Sequence, residues 1–452
     1  MKQLKIFVIT DTHYFSNSLG AYGEDYESFM DFEQKCFAET QSINEAVFRY
    51  LGESKLADIV LIAGDLSFNG EKQSHLEFVK LLEGLKASGK KVYVVTAGHD
   101  MNEHPFAYDE NGRKEPEGTR FEELYDLYKN YGYDDAVELN KEHLSYVAQL
   151  ADGVRLLVLC NDSPESRNVE YSADFLQWIE QQAKKAKADG QMMIAMEHYP
   201  VLPGQPILSL IPDARQKNSK ELIRVLADNG VQLIFTGHMH NQSINVTKTQ
   251  MGNSFFDVCT GSVIGCPAYM RLVTVKDEKT VEIESIPVPE FDWDKKGKTG
   301  KVYLQDQFER MIRSMICGMK DDPQRLLRRF GAGDKKALFT PVKMIGKAFS
   351  TWSVGKVARL FFVKADDSIK DAKFLELAIA IVRSVFEGDQ PYVEGTAEGD
   401  TILKVLKRLN PVFKTLNKKL HASQGEQVDL YDMLKNSFGN YGISDNNAVL
   451  KF

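Results

Sequence analysis

Five short apolar runs in the first part of this chain each break off in a carboxylate or an imidazole. Residues 5–10 end in Asp11-Thr12-His13, 59–63 in Gly64-Asp65, and 91–96 in Ala97-Gly98-His99-Asp100. Residues 192–196 end in Glu197-His198, and 231–235 in Gly237-His238-Met239-His240. Continuous apolar runs of this length read as strands buried on both faces. In open α/β sheets ligands bind beyond the carboxyl ends of the strands. The pattern therefore predicts that these acids and imidazoles converge. Of nine histidines, five (His13, His99, His198, His238, His240) follow predicted strands, whereas His75, His104, His143 and His421 do not.

The intervening segments set the architecture. Residues 33–51, 72–87, 173–188 and 220–228 have helical apolar spacing, while 101–119 is polar, rich in Gly and Pro, and reads as a long loop. From residue 242 the pattern changes to successive strands at 242–247, 254–259, 271–275 and 281–286. Strands alternating with helices and then following one another predict an α/β fold, a sandwich of two mixed β-sheets with helices outside. Pro287-Val288-Pro289 marks a boundary. The expectation is a first domain over 1–290 and an α-helical C-terminal domain over 291–452. Residues 343–363 and the periodic set Phe374, Leu377, Ala378, Ile381, Val382 and Val385 supply its helices, and 388–400 reads as a loop.

The donor set selects a class of chemistry. Mixed carboxylates and imidazoles suit manganese, iron, zinc or cobalt, whereas magnesium and calcium prefer all-oxygen shells. Two such ions need a shared bridging ligand, which one carboxylate supplies, and the pair can acidify a water and clamp a phosphoryl group. In order and in placement after strands, the five blocks resemble those of the calcineurin-like metallophosphoesterases, over roughly residues 1–290. The resemblance implies a four-layer sandwich of the two sheets and flanking helices. It implies that Asp11, His13 and His240 bind one metal, that Asp65 bridges, and that His198 and His238 bind the second. It further implies that His99 contacts the scissile phosphate and that Asp100 orients the His99 ring.

In one place the chain departs from the family pattern. The third block usually reads Gly-Asn-His-Asp/Glu, and here Gly98 replaces the Asn, a ligand of the second metal. The second site is expected to bind more weakly, with Asn69 and Asn102 as nearby substitutes. The segment Asp65-Leu66-Ser67-Phe68-Asn69-Gly70-Glu71-Lys72 and the helical extension resemble bacterial cyclic nucleotide phosphodiesterases. The resulting expectation is a dinuclear-metal phosphodiesterase of a small nucleotide, a cyclic nucleotide favoured, in which a metal-bound hydroxide attacks phosphorus. The alternatives are a phosphomonoesterase or nucleotidase with the same metals, or a catalytically weakened binding module.

Charge and cysteine usage bound the partners and the compartment. Residues 1–290 carry 28 basic and 44 acidic side chains, and 291–452 carry 28 basic and 20 acidic. The acidic first part disfavours long nucleic acid, and the opposite signs favour docking of the two parts. Arg325, Arg328 and Arg329, or Lys404, Lys407 and Arg408, form either a solvated face or a rim for an anionic substrate. Five scattered cysteines without a CxxC pair fit free thiols in a reducing compartment. No apolar run of about 18 residues is present, so no membrane span is expected. The N-terminal run is too short for a signal peptide, and the expected location is cytoplasmic.

Overall fold

The computed structural model describes residues 3–162, 170–206, 208, 214–329, 333–424, 429–438 and 443–452. The strands are β1 Leu4–Ile9, β2 Ile59–Ala63, β3 Lys91–Val95, β4 Ala107–Asp109, β5 Gly112–Lys114, β6 Glu138–Asn140, β7 Ser145–Ala151 and β8 Val154–Val158. They continue with β9 Met192–Met196, β10 Leu233–Thr236, β11 Ser243–Lys248, β12 Ser254–Cys259, β13 Tyr269–Asp277, β14 Thr280–Pro287 and β15 Ala448–Lys451. One sheet runs in the order β15-β14-β13-β1-β2-β3, and the other β11-β12-β10-β9-β8-β7-β6. Both are mixed. β1, β2 and β3 are mutually parallel, as are β8, β9, β10 and β12, with antiparallel strands at the flanks.

Side-chain alternation decides what each face buries. In the second sheet, Leu156, Val158, Ile194, Met196, Leu233 and Phe235 face inward, into a core shared with Ile6, Val8, Leu61 and Val95 of the first sheet. Their neighbours Leu157, Met193, Ala195 and Ile234 face outward, against Phe175, Ile179, Leu222 and Leu226 of the helices Ala173–Ala188 and Ser219–Ala227. The helices Thr40–Glu53 and Lys72–Ala87 cover the first sheet through Val47, Leu51, Phe78 and Leu82. The result is the predicted layering of helix, sheet, sheet and helix.

The C-terminal part is helical as expected, from Gly300–Asp321 to Leu430–Ser437. The stretch 343–363 is two helices, Phe339–Thr351 and Val354–Leu360. Ser353 separates them because its hydroxyl accepts the Lys356 N–H and starts a new helix. The segment 388–400 is helical from Ala397 onward. Within 101–119, β4 and β5 form a hairpin. The helix expected over 33–51 begins only at Thr40, because Cys36 N donates to the Ile264 carbonyl and Phe37 stacks on Phe68 at 4.0 Å. The last strand, β15, pairs with β14 and completes the first sheet, so the chain returns from its helices to the first part.

Candidate metal centre

The five blocks meet at the carboxyl ends of β1, β2, β3, β9 and β10, all parallel strands within their sheets. Their backbone is unusual. Asp11, His13, Asp65, His238 and His240 have φ between 36 and 65°, a region that non-glycine residues enter at a cost. A left-handed residue directly after a strand turns the chain sharply and aims its side chain across the sheet end.

Two ligand groups result: Asp11, His13 and His240, and Asp65, His198 and His238, the coordinating atoms of each lying within 4.8 Å of one another. Asp11 divides its oxygens. Oδ2 accepts the Thr10 hydroxyl at 2.7 Å and the His238 N–H at 3.0 Å. Oδ1, buried and without a hydrogen-bond partner, lies 3.1 Å from His240 Nε2 and 3.6 Å from His13 Nε2. Asp65 is divided likewise: Oδ1 accepts the His99 N–H at 3.0 Å. Its Oδ2 stands 3.0 Å from His198 Nε2 and 3.7 Å from His13 Nε2, between the two groups. Asp65 Oδ2 therefore faces imidazoles of both groups.

The imidazoles are tautomerically prepared. His198 Nδ1 donates to the Ala63 carbonyl at 2.8 Å, which turns Nε2, buried and without a hydrogen-bond partner, into the centre. His13 Nε2 and His240 Nε2 face each other at 3.1 Å. Two lone pairs this close share one proton or one cation. Burial would raise the Asp11 and Asp65 carboxyls, but the imidazoles around them prevail and hold both well below the usual carboxylate range. Burial brings His13 and His238 down to about 4. Burial also opposes the charged form of His198, yet Asp65 and Asp11 lift it to about 10. Ionised acids, mostly neutral imidazoles and orphaned atoms pointing inward fit a pair of transition-metal ions.

His99 is half-buried beside the first group, its ring 4.9 Å from that of His13. Its Nδ1 donates to the Phe68 carbonyl at 2.7 Å, leaving Nε2 for a substrate. The expectation that Asp100 orients this ring is corrected. Asp100 Oδ1 accepts the Ser67 N–H and Oδ2 the Ala97 N–H, both at 2.8 Å. A buried carboxylate saturated by two backbone donors from different loops ties those loops together, and the Phe68 carbonyl does the orienting. His75 supports the same knot, with Nε2 donating to the Asp100 carbonyl at 2.9 Å.

The second group offers three candidate ligands, and Gly98 has no side chain to add a fourth. Asn102 Oδ1 accepts the His104 N–H at 3.0 Å, and Asn102 is not part of either candidate cluster. Phe15 is wholly buried among Phe37 and Phe68, and Arg325 pairs with Asp31 at 2.9 Å, tying its helix to the first part. The side chain of Arg329 lies outside the described residues. Thr10 and the carbonyls of Ala63 and Phe68 went unread in the sequence, because a backbone carbonyl has no residue-type signature.

Residues 4–242 match the family model described as calcineurin-like phosphoesterase. The chain is 28% identical over 204 residues to a cAMP/cGMP dual specificity phosphodiesterase of Mycobacterium tuberculosis, a match covering 42% of this chain and 62% of that protein. Among solved structures, a dimetal phosphatase from Danio rerio is 13% identical with a TM-score of 0.43, covering 62% of this chain and 95% of its own. Purple acid phosphatase from yellow lupin is 12% identical with a TM-score of 0.43, covering 64% and 52%.

Proposed function

This chain belongs to the calcineurin-like phosphoesterase family, and we propose that it is a dinuclear-metal phosphodiesterase acting on a small nucleotide, with cyclic nucleotides favoured. The observation that carries the reading is the pair of ligand groups sharing Asp65 Oδ2 between them. The relative from Mycobacterium tuberculosis, a cAMP/cGMP phosphodiesterase, supports the diester and the cyclic nucleotide. When bound, two manganese, iron, zinc or cobalt ions supply Lewis acidity and an acidified water at phosphorus.

The chain's own residues do the rest. Asp11, His13 and His240 hold one ion, Asp65 is shared, and His198 and His238 hold the other. Thr10 and the His238 N–H fix the Asp11 carboxylate, and Ala63 fixes the His198 tautomer. The Phe68 carbonyl retains the proton on His99 Nδ1. His99 Nε2 can then serve the departing ester oxygen as an acid once the ring has taken up a second proton, which its burial opposes. Asp100 acts as a positioning residue by joining the Ser67 and Ala97 loops beneath His99.

No helix among the described residues is long and apolar enough to cross a membrane. The five cysteines are unpaired thiols, which suits a reducing compartment, and we place the protein in the cytoplasm.

The test is turnover of cyclic AMP and cyclic GMP beside a 5′-mononucleotide, with each of the four metals and after chelation. Metal-dependent opening of the cyclic diester is the expected result. Cleavage of the monoester alone would move the protein to the nucleotidases, and full turnover after chelation would overturn the reading.

A further inference from the structure

One cation beside this centre makes no salt bridge among the described residues. Lys35 lies in the short loop before the helix Thr40–Glu53 and is 8% exposed. Its Nζ sits 4.4 Å from the centroid of the Phe68 ring. Phe68 is the residue whose carbonyl holds His99 Nδ1, and its ring lies 6.1 Å from that of His13. Among the described residues Lys35 makes no salt bridge within 4 Å.

The loop is fixed rather than loose. Cys36 N donates to the Ile264 carbonyl at 3.1 Å, Phe37 stacks on Phe68, and Lys35 N donates to Glu33 Oε1 at 3.1 Å. The ammonium is thus held against the face of an aromatic ring beside the metal ligands.

Holding an ammonium on a largely buried side chain with no salt-bridged carboxylate costs solvation, and placing it beside two metal ions adds repulsion. An incoming phosphoryl group relieves both. Its non-bridging oxygens carry negative charge that grows as water adds to phosphorus and the ester oxygen departs. We propose that Lys35 is the side-chain cation that binds a non-bridging oxygen of the substrate's phosphoryl group. The proposal rests on the phosphoesterase reading and deepens it. Lys35 takes no part in the proton transfer; its charge lowers the barrier as an electrostatic clamp. The cation–π contact holds the ammonium in place while the site is empty of substrate.

The experiment compares wild type, Lys35→Met and Lys35→Arg as metal-loaded full chains. Three quantities are read: kcat and KM on a chromogenic diester, the affinity for inorganic phosphate by calorimetry, and metal content. Lys35→Met is expected to lower kcat/KM by about 10²–10³-fold, mainly through kcat. It should weaken phosphate binding about tenfold and leave metal content undiminished, since a repelling charge is gone. Lys35→Arg keeps the charge and should stay within about tenfold of wild type. Wild-type kinetics and phosphate affinity in Lys35→Met would overturn the proposal. So would equal losses in both variants together with lost metal, which would assign Lys35 to the support of the loop. If the wild type cleaves no diester, the phosphoesterase reading falls, and the phosphate titration still decides the fate of Lys35.

Discussion

At the scale of single residues, the site is built by placing side chains where the backbone resists them. Five ligand residues occupy left-handed φ, at about 1–3 kcal/mol each. That cost is tolerated because hydrogen bonds over-determine the geometry: the Thr10 hydroxyl and the His238 N–H hold the Asp11 carboxylate, the His99 N–H holds Asp65, and the Asp11 and His13 N–H groups donate to the Gly64 and Asp65 carbonyls. Nearby, Glu71 illustrates a second cost. It is wholly buried, its Oε1 has no partner, and burial raises its carboxyl to about 7 against the pull of the Asn69 and Glu71 N–H groups and of Ser74. A carboxyl raised in the folded state contributes stability that is complete below its unfolded value near 4.5 and is lost as pH rises through about 7. Glu71→Gln should therefore match wild type near pH 5 and exceed it by up to about 3 kcal/mol at pH 8. Urea midpoints at the two pH values check this, and an equal difference at both would refute it.

At the scale of elements, the last strand joins the two parts of the chain. β15 pairs Leu450 with Val281 and Ala448 with Ile283, and Leu450 is 1% exposed in the main core. The return segment before it is latched from several sides. The buried Arg271 donates to the Asn446 carbonyl at 3.1 Å, and Asp445 accepts the N–H groups of Ile244 and Asp389. Leu450→Ala should cost about 2–5 kcal/mol by opening a cavity in that core. An unchanged unfolding midpoint would mean that β15 contributes nothing to the first sheet. The sequence showed the parallel strands because each is a continuous apolar run of five or six residues closed by a chemical residue. It did not show β15, since Ala448–Lys451 is short and pairs with a strand far away in the chain. Lys35 was equally hidden, one of 56 basic residues and set in a loop where a helix was expected. Residue type pointed to the two candidate metal clusters; it could not reveal what a backbone carbonyl or a ring face holds in place.

At the scale of the molecule, two mixed sheets share one core and bring two sets of parallel strand ends to a single crevice. The C-terminal helices pack onto this body through Arg325 with Asp31 and through Tyr303, whose hydroxyl donates to Glu39. The central claim is that this crevice holds two metal ions, the second less firmly because Gly98 supplies no ligand. The backbone does not demand glycine there, as Gly98 is not among the residues with positive φ. The most direct test is a metal titration of the chelated protein, with elemental analysis, on wild type and Gly98→Asn side by side. The account predicts two ions per chain at saturation, one tight and one weaker, with the weaker one tightened by Gly98→Asn. A wild-type chain that stays metal-free at saturating metal, or a Gly98→Asn chain whose second ion binds no more tightly, would contradict it.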